Sequence, residues 1–216
     1  MKKLHVPCLS QLETLPMAKA ENGLRTSGEK NALDCVNWKA FPQKPEVHFV
    51  AAHTGKSILL AFTVREDVVL ARFEADQSPV YRDSCVEFFC RKPGTALYTN
   101  LEFNCIGACL GARQRARDTE RTFLSEKELS GIERYASLGK RAFGEKKGKC
   151  AWNLMVRIPL SILGMEEKDL AVGLGANFYK CCDDAPEKHY LSWNPIQTES
   201  PDFHRPEFFG HLVFAY

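Results

Sequence analysis

Strict period-two alternation constrains this chain more than any other feature. Over residues 57–65, Ile58, Leu60, Phe62 and Val64 fall on one side, and Leu59, Ala61 and Thr63 on the other. Successive side chains of a strand point to opposite faces, so one stripe is committed to a core. The pattern recurs along the chain. Residues 85–91 put Val86, Phe88 and Cys90 on one face and Glu87 and Phe89 on the other. Residues 97–106 separate Leu101, Phe103 and Cys105 from Asn100, Glu102 and Asn104. Residues 151–158 alternate through Trp152, Leu154, Val156 and Ile158, which makes Trp152 a core residue. Residues 132–138, 172–179 and 211–215 read as further strands. Gly55 marks a turn before the first of these runs, and Gly107 and Gly111 bracket a hairpin into Arg113.

Helical signals are sparse. Ser125 and Glu128 form a capping box ahead of Leu129, and Gly131 stops that helix after one or two turns. Residues 159–164 suit another short turn with Pro159 in its first position. Many short strands joined by loops rich in Gly, Pro and Asp predict an all-β fold, an antiparallel β-sandwich with one or two short helical turns. A closed barrel satisfies the same pattern. No internal repeat or long linker divides residues 1–216, so a single domain is expected, and a 44% hydrophobic content suffices for its core.

The formal charge of +2 argues against nucleic acid as a partner. No apolar run approaches the roughly 18 residues needed to span a bilayer, so no membrane partner is expected. The amino-terminal residues carry Lys2 and Lys3, but His5, Pro7, Ser10, Gln11 and Glu13 interrupt before any apolar signal region forms. A cytoplasmic location follows, or an extracytoplasmic one if a signal was removed. Cysteines stand at 8, 35, 85, 90, 105, 109, 150, 181 and 182. Their odd number and the lack of CxxC spacing favour buried free thiols over a disulfide framework, and no spacing suited to a tetrahedral zinc site is visible in the sequence.

Two distant segments carry the functional signal. Residues 79–90, PVYRDSCVEFFC, place Tyr81 ahead of Asp83 and Glu87. Residues 189–210 place Trp193 beside Asn194. Brought together, they would make an aromatic-walled slot with hydrogen-bonding groups inside, which suits a sugar ring. An ionised carboxylate such as Glu87 accepts up to about four hydrogen bonds, so sugar hydroxyls are natural partners for it. Asn177, in ANFYKC, is a further candidate lining residue. Arg113, Arg115 and Arg117 alternate with Arg121 beyond, and Asp118 and Glu120 among them point to a solvated face. His204 and Arg205 are expected to order the final loop. Neither segment shows a nucleophile with its base. Asp83 and Glu87, four residues apart in an extended strand, lie about 13 Å apart, beyond the separation glycoside hydrolysis uses. The chain is therefore not expected to be an enzyme.

Taken in order, VNWKAFPQKPEVHFVAAH, ILLAFTVRED, PVYRDSCVEFF, LYTNLEFNCIGA, ANFYKCCDD and LSWNPIQTESPDFHRPEFFGHLVF resemble the family 9-like carbohydrate-binding modules, in their free-standing variant. The resemblance covers the chain from about residue 36 onward. It implies an antiparallel β-sandwich that holds a mono- or oligosaccharide between two aromatic rings, without catalysis. It places those rings at Tyr81 and Trp193, the carboxylate in the slot at Glu87 and a polar partner at Asn104. Relatives more often carry Trp at the position of Tyr81, and a Tyr face is smaller. No cofactor is implied. Some relatives carry structural calcium, for which Glu66, Asp67, Asp183 and Asp184 offer oxygens. Two other readings keep the sandwich. One is a haem pocket with His189, His204 or Met155 as axial ligand, and the other is a protein-binding patch.

Overall fold

The computed structural model describes residues 1–215. In chain order the strands are β1 (Lys3–Val6), β2 (Asn31–Ala32), β3 (Cys35–Val36), β4 (Glu46–His53), β5 (Ser57–Ala71), β6 (Cys85–Arg91) and β7 (Tyr98–Asn104). They continue with β8 (Cys109–Gln114), β9 (Thr122–Phe123), β10 (Glu133–Ala136), β11 (Phe143–Pro159), β12 (Leu174–Cys181), β13 (Tyr190–Ser192) and β14 (Gly210–Phe214). Two helices, α1 (Met17–Ser27) and α2 (Glu126–Ser130), complete the regular structure among the described residues.

Alternation sorts these strands into two sheets. One runs β1-β14-β12-β6-β7-β8-β9, with β13 joined to β12 and β3 to β13. The other runs β10-β11-β5-β4-β2. Ile58, Leu60, Phe62 and Val64 of β5, and Trp152, Leu154 and Val156 of β11, meet Val86, Phe88, Leu101, Phe103 and Phe178 of the larger sheet in one core. Phe178 stacks between Phe49 and Phe88, with ring centroids 4.0 and 5.2 Å away. This is the predicted sandwich, and the predicted inward stripes are the ones that pack. Among the described residues, β1 departs from antiparallel pairing, lying parallel to β14, and a parallel bridge joins Cys8 to His53.

The outer stripe of the smaller sheet is apolar too. Leu59 and Ala61 join Val50, Ala52 and Met155 beneath Ala20 and Leu24 of α1. That helix carries no strong sequence signal, because MAKAENGLRTS buries only those two residues and lacks a side-chain cap at its start. Gly23 lets it settle on Leu12, whose Cδ2 would lie 2.8 Å from a Cβ there. The shorter α2 has the expected capping box between Ser125 and Glu128. Pro159 sits one residue earlier than expected, flanking a 3-10 turn over Leu160–Leu163 in an extended conformation. Strand β11 begins well before residue 151 because its lysine-rich first half also pairs with β5, across two register shifts.

The outer face of the larger sheet positions the site. Cys85, Phe89, Tyr98, Tyr179 and Cys181 point outward, and Trp38, Phe203 and Phe209 from the loops pack over them. This cover is incomplete, and a cavity opens where β6, β7 and β8 present polar residues. At one end of the core, the Glu66 carboxylate on β5 meets Lys180 Nζ on β12 at 2.8 Å and accepts from Trp152 Nε1 at 2.7 Å. Lys180 also lies 2.9 Å from His189 Nε2. This buried ionic group ties the two sheets together.

Candidate functional site

Antiparallel pairing of β6 with β7 sets Glu87 directly opposite Glu102, and Phe89 opposite Asn100. Directly opposed residues share a face, with Cβ atoms about 5 Å apart. Both carboxyls therefore stand side by side on the floor of a cavity of about 430 Å³. That volume is within the usual range for a small-molecule site. Glu87 is 3% and Glu102 4% exposed. Burial, and then the charge of Glu102, push the Glu87 carboxyl well above the ordinary carboxylate range. Burial likewise raises Glu102, against the hydrogen bond from Asn100 that favours its charged form. The mutual repulsion is that of any two carboxylates sharing a dry site. Glu87 Oε1 accepts from the Cys181 thiol at 3.1 Å, whereas Glu102 Oε2 has no hydrogen-bond partner in the protein.

A polar chain runs from this floor to the wall. Asn100 Nδ2 donates to Glu102 Oε1 at 3.0 Å, and Gln114 Nε2 on β8 donates to Asn100 Oδ1 at 2.9 Å. His204 Nδ1 lies 3.1 Å from Gln114 Nε2 and 2.8 Å from the Tyr98 hydroxyl. Both neighbours can donate, so Nδ1 serves as acceptor and the ring is neutral. Burial, then the Arg117 charge, pull the His204 pKa down to about 4. Phe41, Tyr190 and Phe203 supply apolar wall, and Tyr81 contributes a ring that is 38% exposed at the mouth. Tyr81 lies in a single 3-10 turn, Val80–Arg82, immediately before β6. Two pairs of rim charges neutralise each other, Arg117 with Asp202 at 2.8 Å and Arg121 with Asp118.

Of the five residues singled out from sequence, Tyr81 and Glu87 line this cavity and the other three do not. Trp193 is 3% exposed and lies in the core between the sheets, edge-on to Phe49 and Phe178 at 6.4 and 5.8 Å. Parity explains it. Leu191 and Trp193 share the inner face, so Tyr190 is the aromatic residue of β13 that turns to the cavity. Gly210 closes against Trp193, where a Cβ would lie 2.3 Å from its ring. Asn104 faces outward as expected, but its amide is consumed. Nδ2 donates to the Phe73 carbonyl and Asp83 Oδ2, and Oδ1 accepts from Ala108 N–H. Asn177 is likewise a loop anchor, donating to the Asn194 carbonyl and accepting from Asn194 N–H. Asp83 caps a turn through the backbone N–H groups of Arg72 and Phe73.

Two of the four suggested calcium donors are already engaged by cations or donors of the protein. Glu66 is occupied by Lys180 and Trp152, and Asp184 by Arg72 and Arg82. Hard cations need six to eight oxygens. The haem candidates do not converge. Met155 lies under α1, His189 on Lys180, and His204 in the cavity wall.

The sequence matches the model of carbohydrate-binding family 9 over residues 22–214. The chain belongs to this family. A Bacteroides uniformis ATCC 8492 protein of solved structure, proposed to bind carbohydrate, is 37% identical with a TM-score of 0.88, covering 99% of both chains. Two structures of a family 9 module from Caldicellulosiruptor kristjanssonii, one with glucose and one with cellotriose, share the fold at 14% identity. Their TM-scores are 0.58 and 0.55, over 99% of this chain and 96% and 93% of theirs. No curated protein matches significantly.

Proposed function

We propose that the cavity over Glu87 and Glu102 binds a mono- or oligosaccharide and leaves it unchanged. One observation carries this reading. A partly exposed aromatic ring, Tyr81, borders a floor of buried carboxyls, one with an oxygen that no protein group satisfies. A buried acceptor without a partner is costly, and a sugar hydroxyl supplies the missing donor. The C–H face of a pyranose can rest on Tyr81 while its hydroxyls reach Glu87, Glu102 and Gln114. The saccharides in the Caldicellulosiruptor structures support the ligand class.

The carboxyl pair itself invites comparison with glycoside hydrolysis. Hydrolases set their two carboxyls on either side of the scissile bond. Here both rise from adjacent strands on one floor, so a ring lies above the two and not between them. That arrangement supports binding without bond cleavage. Small neutral ligands of this kind should bind with dissociation constants from about micromolar to millimolar, about −8 to −4 kcal/mol. Titration calorimetry against a panel of mono- and oligosaccharides tests the reading, with alditol-ended sugars reporting on reducing-end preference. Heat from the wild type that disappears in Tyr81→Ala supports it. A folded wild type that gives no heat with any sugar refutes it.

A further inference from the structure

Directly beneath Glu87, two thiols converge for which the sugar reading has no use. Cys85 on β6 and Cys181 on β12 are paired across the sheet, and Glu87 follows two residues along β6 on the same face. The two sulfurs and a Glu87 carboxylate oxygen all lie within 4.8 Å of one another. All three side chains are buried. Cys181 and Glu87 line the cavity, which provides a path inward from solvent. The Tyr81 carbonyl stands 3.5 Å from Cys181 Sγ.

We propose that Cys85, Cys181 and Glu87 form a binding site for a thiophilic divalent metal of the zinc class. The two thiolates are soft donors, which select zinc-like ions over calcium or magnesium, and zinc also accepts a carboxylate oxygen as a further ligand. A tetrahedral zinc holds sulfur at about 2.3 Å and oxygen at about 2.0 Å. Ligand atoms around such an ion are about 3.5 to 3.8 Å apart, so the cluster needs only modest side-chain rotation to close on it. Water from the cavity or the Tyr81 carbonyl fills the fourth position. Binding releases the proton of each thiol, and that of Glu87 where it is protonated. Cys85 packs in the apolar cluster of the outer face, and its sulfur makes only a weak hydrogen-bond contact, 3.7 Å to the Val86 carbonyl. This proposal does not depend on carbohydrate binding, and its test contains no sugar.

The test titrates cobalt(II) into the full-length chain, metal-free and held reduced by a phosphine, and then displaces it with zinc. The expected result is one cobalt per chain with a thiolate-to-cobalt charge-transfer band, which zinc abolishes. Replacing the exposed Cys8 and the half-buried Cys35, Cys8→Ser with Cys35→Ser, should leave that band intact. Cys85→Ser with Cys181→Ser should remove it, and Glu87→Gln should weaken affinity by at least about 10-fold, the lower end of what loss of a mere outer-shell partner costs. Because the double thiol variant could fail to fold, X-ray absorption of the zinc-loaded wild type provides a second readout. It should count two sulfurs and two lighter donors. Absence of the charge-transfer band in folded, reduced wild type overturns the proposal, as does its persistence in the folded double variant or a zinc shell without sulfur. A Cys85–Cys181 disulfide in air-exposed protein, together with no cobalt uptake after reduction, would reassign the pair to a disulfide.

Discussion

Replacing Trp193 with Ala separates the structural role of this residue from the ligand role that its sequence context suggests. The ring is 3% exposed, edge-on to Phe49 and Phe178, and pressed against Gly210. Truncation therefore opens a large cavity between the two sheets, and Phe178 loses one of the rings that fix it. Large-to-small changes of this kind cost about 3–5 kcal/mol. Gly210 cannot refill the space, and the paired strands β12 and β14 limit collapse. Urea unfolding followed by far-ultraviolet circular dichroism should show a midpoint lowered by that free energy divided by the unfolding slope. The slope itself should be unchanged. Under conditions where the variant remains folded, its affinity for sugar should stay within about threefold of wild type, a change below 1 kcal/mol. A loss of stability under about 1 kcal/mol combined with abolished sugar binding would refute the placement of Trp193 in the core.

Three further perturbations probe other parts of the molecule. Tyr81→Ala should weaken sugar binding by about 2 kcal/mol and change stability by no more than about 0.5 kcal/mol. Calorimetry and urea unfolding of the same sample check both. His204 has its pKa drawn down to about 4 in the fold, below the roughly 6.5 of an unfolded chain. Its contribution is present above pH 6.5 and is lost as pH falls toward 4, by up to about 3 kcal/mol. Between these pH values wild type should therefore lose more stability than His204→Gln, and parallel pH profiles would contradict the neutral assignment. Lys180→Ala leaves Glu66 buried without its cation and should cost about 3–5 kcal/mol. Lys180→Ala with Glu66→Gln should recover part of that loss in thermal unfolding.

Much of the fold was legible because period-two stripes are read within a single strand. The inner faces of β5, β6, β7 and β11 follow directly from Phe62, Phe88, Phe103 and Trp152. The site was only half legible, since it depends on which strands become neighbours. Glu102 and Asn100 sit on the predicted outward face of β7, yet their meeting with Glu87 is a matter of register. Trp193 shows the complementary difficulty. Its polar neighbours suggest a surface loop, and only the placement of β13 reveals that the chain turns Trp193 inward and Tyr190 outward. Gln114 and Arg117 reach the cavity from the end of β8 and the turn after it, and His204 from a distant loop, with no shared motif. Helix α1 leaves little trace in the sequence because two buried residues make too narrow an apolar stripe.

The location of a bound sugar tests the central claim most directly. Crystals grown with the tightest-binding saccharide of the panel should show a sugar ring in the cavity of Tyr81, Glu87 and Glu102. One apolar face should lie on Tyr81, and a hydroxyl should be within hydrogen-bond distance of Glu102 Oε2. A saccharide bound elsewhere on the sandwich, with this cavity holding only water, would contradict the account.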